Sequence, residues 1–135
     1  MGLKKVKKSE LPDIKKKLLE KQGYRCPITG RCLRSMKPIN LCIDHNHSSG
    51  VIRAVLPRGI NGLEGKMLTL LNRFGGYTNK DVAGMATCLR GLADYLLQHR
   101  VPQTEWIYPT HQTQEEKRAQ RNAQARLRYA KSKEK

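Results

Sequence analysis

No stretch of this chain approaches the roughly 18 consecutive apolar residues that a membrane-spanning helix needs, and its first residues lack the apolar core of a secretory leader. A soluble, intracellular, cytoplasmic protein is therefore expected. Aromatic residues are scarce, with one Trp, one Phe and five Tyr among 135 residues. With 38% apolar residues overall, the chain can build one modest core but will bury its ends poorly. Acidic residues are also few. Eleven Asp and Glu stand against 27 Lys and Arg, a formal net charge of +16. Self-repulsion of that size points to a polyanionic partner, a nucleic acid or an acidic membrane surface. The membrane reading needs an apolar face on a basic helix, and neither end of the chain has one. Four cysteines (Cys26, Cys32, Cys42, Cys88) suit a reduced compartment at least as well as disulfides.

The basic residues are concentrated at the ends. Residues 1–25 hold nine basic and three acidic groups, and residues 112–135 hold eight and three. The 86 residues between them spread ten and five. Three parts are expected: a basic arm with a short helix (1–22), a central domain (23–111) and a basic tail or helix (112–135). The first helix spans residues 9–22, with Ile14, Leu18 and Leu19 on one face and Gly23 as its stop. Residues 24–38 read as an irregular loop. Two short β-prone runs, Ile39–Asp44 and Val51–Leu56, flank the turn-forming HNHSSG. A helix over 61–74 follows, with Asn61 as its N-cap and Gly75-Gly76 as its end. The strongest helical periodicity lies at 79–100, where Val82, Met85, Leu89, Leu92 and Leu96 recur on one face and require a partner surface. The loop 101–111 brings Trp106, Ile107 and Tyr108, expected to fold back on the core. Residues 113–131 favour a helix by propensity but have only a weak apolar stripe, so order is expected on binding rather than alone. Cys42 and Cys88 read as ordinary buried thiols.

Chemistry concentrates at Asp44-His45-Asn46-His47 and at Asn61, sixteen residues after His45. Hydrolysis of a phosphodiester with one metal ion needs a neutral base for water, hard oxygen ligands for the ion, and rigid supports for both. His45 at a strand end can be the base. Asp44 and Asn61 each offer an oxygen of the kind Mg²⁺ or Mn²⁺ selects. By spacing alone, a solvated polar turn rich in His and Asn is the commoner account of the same residues.

The stretch IDHNHSSGVIRAVLPRGINGLEGKMLTLLNRFG resembles the core of the phage recombination endonuclease VII family, a branch of the His-Me finger (HNH) nucleases. The run Asp44-His45-x-His47, the turn ending at Gly50, the strand with Arg53, and Asn61-x-x-Glu64-Gly65-x-Met67 fall in that family's order and spacing. The likeness extends over roughly residues 18–110. It implies an α+β, mostly helical fold with a ββα-metal nuclease core, flanking helices and basic terminal arms. It implies His45 as general base, Asp44 and Asn61 as ligands of Mg²⁺ or Mn²⁺, and His47 and Glu64 as supporting groups near phosphate and metal. A hydrogen-bonded turn histidine and a first-turn helix carboxylate remain the plainer accounts of His47 and Glu64.

One departure is large. Members of that family carry a structural zinc on two Cys-x-x-Cys pairs, and the corresponding positions here read Cys26-Pro27-Ile28-Thr29 and Pro57-Arg58-Gly59-Ile60. Three of the four ligands are missing, so no structural Zn²⁺ is expected. Apolar packing by Pro57 and Ile60 replaces it in this reading. A rearranged site of Cys26, Cys32 and Cys42 would need the unusual spacing C-x5-C-x9-C.

The expected partner is DNA, double-stranded or branched, with a homodimer left open. Lys4, Lys5, Lys7, Lys8, Lys15 and Lys16, then Arg53, Arg58 and Lys66, then Arg118, Arg121, Arg126 and Arg128 are the candidate phosphate contacts. Scarce aromatics make stacking on single-stranded bases a minor mode. The resemblance implies junction resolution, while nicking and homing nucleases use the same motif. The alternative is a non-catalytic DNA-binding or accessory protein that keeps the nuclease fold.

Overall fold

The computed structural model describes residues 2–134. The chain forms two compact units that meet in sequence at Gly91 and Leu92. The first unit opens with a 3₁₀ turn at Lys8–Glu10 and helix α1 (Leu11–Lys21). Pro12 sits in the first turn of α1, where its missing N–H is no loss. Gly23 (φ 59°) and Tyr24 (φ 57°) then reverse the chain, and the Tyr24 N–H donates to the Leu19 carbonyl at 2.8 Å. Leu33 closes the following loop by donating its N–H to the Tyr24 carbonyl at 2.7 Å.

Strands β1 (Leu41–His45) and β2 (Ile52–Pro57) pair antiparallel, from Leu41 opposite Pro57 to His45 opposite Ile52. Helix α2 (Arg58–Gly75) follows without a break and stops at the left-handed Gly76 (φ 73°). Helix α3 (Val82–Gln98) begins in the first unit. In the second unit α4 (Gln114–Lys133) is capped at its start by the Thr113 hydroxyl, which accepts the Glu116 N–H, while the Glu116 carboxylate accepts the Thr113 N–H. The architecture is α+β and mostly helical, as the sequence suggests. Among the described residues no helix is long and apolar enough to cross a membrane.

The core gathers Cys26, Leu33, Leu41, Val55 and Leu56, with Leu18, Leu19, Ile43 and Ile60 packed against it. Two strands alone make a weak sheet, because each leaves an open edge of backbone groups. Gln22 meets one edge. Its side-chain amide donates to the Val55 carbonyl at 3.0 Å and accepts the Val55 N–H at 2.7 Å, standing in for a third strand. Lys15 ties α1 to the approach to β1 by donating to the Pro38 carbonyl at 2.8 Å.

Several expectations are corrected. Helix α2 starts at Arg58 rather than after Asn61, because Pro57 ends the strand and itself serves as N-cap. Asn61 is therefore the fourth residue of the helix, half-buried, not its cap. Trp106, Ile107 and Tyr108 belong to the second unit, where they are 85%, 78% and 77% exposed. The fully covered thiol is Cys26, while Cys42 and Cys88 are only half-buried. The segment expected to order on binding forms α4, and its capping box satisfies the Thr113 and Glu116 N–H groups at its start.

Candidate active site

The turn between β1 and β2 is built on Asn46. Its side-chain oxygen accepts the N–H groups of Ser48 (2.8 Å) and Ser49 (3.0 Å). Its backbone N–H donates to the Val51 carbonyl (2.9 Å), and its carbonyl accepts the Gly50 N–H (2.7 Å). Gly50 supplies the left-handed φ of 74° that lets the chain re-enter β2. His45 and His47 flank Asn46, both exposed, with ring centroids 5.1 Å apart. Asn46 was not singled out from sequence, although an Asn beginning a Ser-Ser-Gly turn was the available signal.

Asp44 faces the other way and is 5% exposed. Opposite it the strand register slips: Asp44 pairs with Ala54 and His45 with Ile52, leaving Arg53 as the extra residue of a bulge. The Arg53 guanidinium turns onto Asp44 in a fork, Nε donating to Oδ2 at 2.7 Å and Nη2 to Oδ1 at 3.0 Å. The same Nη2 lies 3.1 Å from Glu64 Oε1. Hydrogen bonding to Asp44 above all, then to Glu64, raises the Arg53 pKa further above its ordinary value, and partial burial opposes them. Glu64 lies one helical turn after Asn61 on the same side of α2. Its second oxygen, Oε2, is buried with no hydrogen-bond partner among the described residues.

A cleft of about 360 Å³ opens beside this cluster, with His47, Arg53 and Glu64 on its polar wall and Leu68 and Met85 among its apolar lining. The first unit thus brings Asp44, Arg53 and Glu64 into direct contact and sets His45 beside His47. Asp44 and Glu64 share Arg53 and offer carboxylate oxygens, and Asn61, one helical turn before Glu64 on α2, offers an amide oxygen. Such oxygens fit Mg²⁺ or Mn²⁺, and the orphaned Glu64 Oε2 is an acceptor that a cation or its bound water would satisfy.

The basic candidates divide by their surroundings. Lys5, Lys7, Lys8, Lys16 and Lys66 are exposed, as are Arg118, Arg121, Arg126 and Arg128 on α4. Lys4 lies 3.6 Å from Glu10 at the surface. Lys15 is engaged with the Pro38 carbonyl, and Arg58 donates to the Ile39 carbonyl at 2.9 Å. Arg53, read from sequence as a phosphate contact, has its Nε and Nη2 committed to the two acids.

Residues 3–98 match a family model described as recombination endonuclease VII. The match contains α1, both strands, α2 and α3, while α4 lies beyond it. No curated protein matches the chain.

Proposed function

The chain belongs to the recombination endonuclease VII family, and from that premise we propose that it is a metal-dependent DNA endonuclease with a ββα-metal (His-Me finger) active site. The observation that carries the proposal is a buried Asp44 and a half-buried Glu64, both paired with Arg53, at the same strand–turn–strand–helix junction as the exposed His45–His47 pair.

His45 receives a proton from the attacking water at an imidazole nitrogen, and its exposure leaves room for both water and phosphodiester. His47, 5.1 Å away between ring centroids, would donate a hydrogen bond to a phosphate oxygen. Asp44 and Asn61 would hold one Mg²⁺ or Mn²⁺, with Glu64 as a further oxygen donor. Such an ion, when bound, supplies neutralisation of the charge that develops on the phosphate and the leaving oxygen. Asn46 keeps the His45–His47 turn in one conformation, so both rings are positioned before DNA arrives. No structural zinc enters this account: Ile60, at a position where the family has a cysteine, packs against the cluster that contains Cys26.

The substrate proposed is branched DNA, held chiefly through phosphates by exposed Lys and Arg, as the family's description as a recombination endonuclease supports. The test is cleavage of matched linear, nicked and four-way DNA by the purified chain, in Mg²⁺ and in excess chelator. Cleavage that needs the metal and favours the four-way DNA is expected. Full activity in chelator contradicts the metal site, and equal rates on all three substrates contradict the preference for branches.

A further inference from the structure

We infer that Arg53 is the positioning residue of the metal site: it locks the Asp44 carboxylate and Glu64 into one arrangement whose remaining oxygen lone pairs are left to a divalent cation. This rests on the functional reading above, and goes beyond it by giving a role to a residue that the sequence suggested for DNA.

The geometry requires an arginine. One guanidinium makes three contacts, two with Asp44 at 2.7 and 3.0 Å and one with Glu64 at 3.1 Å. A planar fork matches the two oxygens of a carboxylate and fixes the plane in which they lie. The second hydrogen on Nη2 reaches the other acid. A lysine ammonium carries the same charge but cannot set that plane. The β2 bulge is the backbone's part in this arrangement, because a regular register would pair Arg53 with the exposed His45 and direct it away from Asp44.

Electrostatics supports the same reading. Asp44 is almost wholly covered, and an ionised carboxylate in that position needs a charged partner. Asp44, Glu64 and Arg53 together carry one net negative charge, so the cluster stays attractive to a divalent ion. Each carboxylate oxygen has two lone pairs, and the fork occupies one on each oxygen of Asp44. Glu64 keeps Oε2 buried and without a partner among the described residues. The two acids therefore retain acceptor capacity that no protein group fills. Ligating carboxylates elsewhere are held by such outer partners, whose loss lowers metal affinity by about 10- to 100-fold.

The experiment measures Mn²⁺ binding to the full chain without DNA, by the spin-resonance signal of free Mn²⁺, for wild type, Arg53→Lys and Arg53→Gln. Far-ultraviolet dichroism follows the fold, and should Arg53→Gln fail to fold, Arg53→Lys carries the comparison because it keeps the charge beside Asp44. Both variants are expected to bind Mn²⁺ about 10- to 100-fold more weakly. If Arg53 acts by charge alone, Arg53→Lys will bind like wild type and Arg53→Gln more tightly, which overturns the inference. Unchanged Mn²⁺ binding with weakened DNA binding would make Arg53 a phosphate contact through its Nη1, and also overturns it. A wild-type chain that takes up no Mn²⁺ removes the metal-site reading itself, an outcome distinct from any difference among the variants.

Discussion

Gln22 does at a single position what a larger sheet would do with an extra strand, and Asn46 holds the β1–β2 turn. Val55 is fully buried, and both its backbone hydrogen-bonding groups on the open edge of β2 end on the Gln22 amide. Replacing Gln22 with Ala leaves a buried N–H and a buried carbonyl without partners, which costs about 2–3 kcal/mol in total. The expected observation is a lower urea midpoint with an unchanged slope, and a midpoint equal to wild type would show that water substitutes freely there. Asn46 has a signal in the Ser-Ser-Gly turn it begins, but Gln22 has none. A glutamine at a helix end looks like any surface polar group until the strand it meets, 33 residues later, is folded beside it. Asp44, His45 and Asn61 stand out in the sequence because the proposed chemistry needs particular atoms in a particular order. The attachment of Arg53 to Asp44 does not, because it depends on a one-residue slip in register that alternation of apolar and polar residues does not encode.

Among the elements, α1, α2 and α3 follow from their apolar spacing, and the strand–turn–strand unit follows from the HNHSSG apex. The start of α2 was displaced from Asn61 to Arg58 because Pro57 can both end a strand and begin a helix, and Gly59 and Gly62 hide the helical pattern between them. Helix α4 differs most from its sequence reading. Weak apolar content argued against autonomous order, but the reciprocal Thr113–Glu116 cap and first-turn acids against last-turn lysines stabilise the helix locally. It is exposed throughout its length, and we propose that it and the N-terminal arm hold DNA by phosphates alone. Deleting residues 1–8 and 113–135 should weaken binding to every DNA by a similar factor. It should also flatten the plot of log affinity against log salt by about 0.9 per lost phosphate contact on duplex DNA. The chemical step at saturating DNA should be unchanged. An unaltered salt slope would make both segments solubilising only.

Across the whole molecule, a net charge of +16 is tolerable because it is divided among the two ends and a sparsely charged centre. In the proposed function, long-range attraction draws in the polyanion, and a small cluster of side chains in the first unit supplies the chemistry. Binding and catalysis are thereby assigned to different residues, and they should fail separately. The most direct test is the single-turnover cleavage rate of a four-way DNA in Mg²⁺, compared between wild type and His45→Ala at saturating protein. Loss of the base with the acids left in place should lower the rate by about two to four orders of magnitude while DNA affinity is retained. A His45→Ala variant that cleaves at nearly the wild-type rate would contradict the account at its centre.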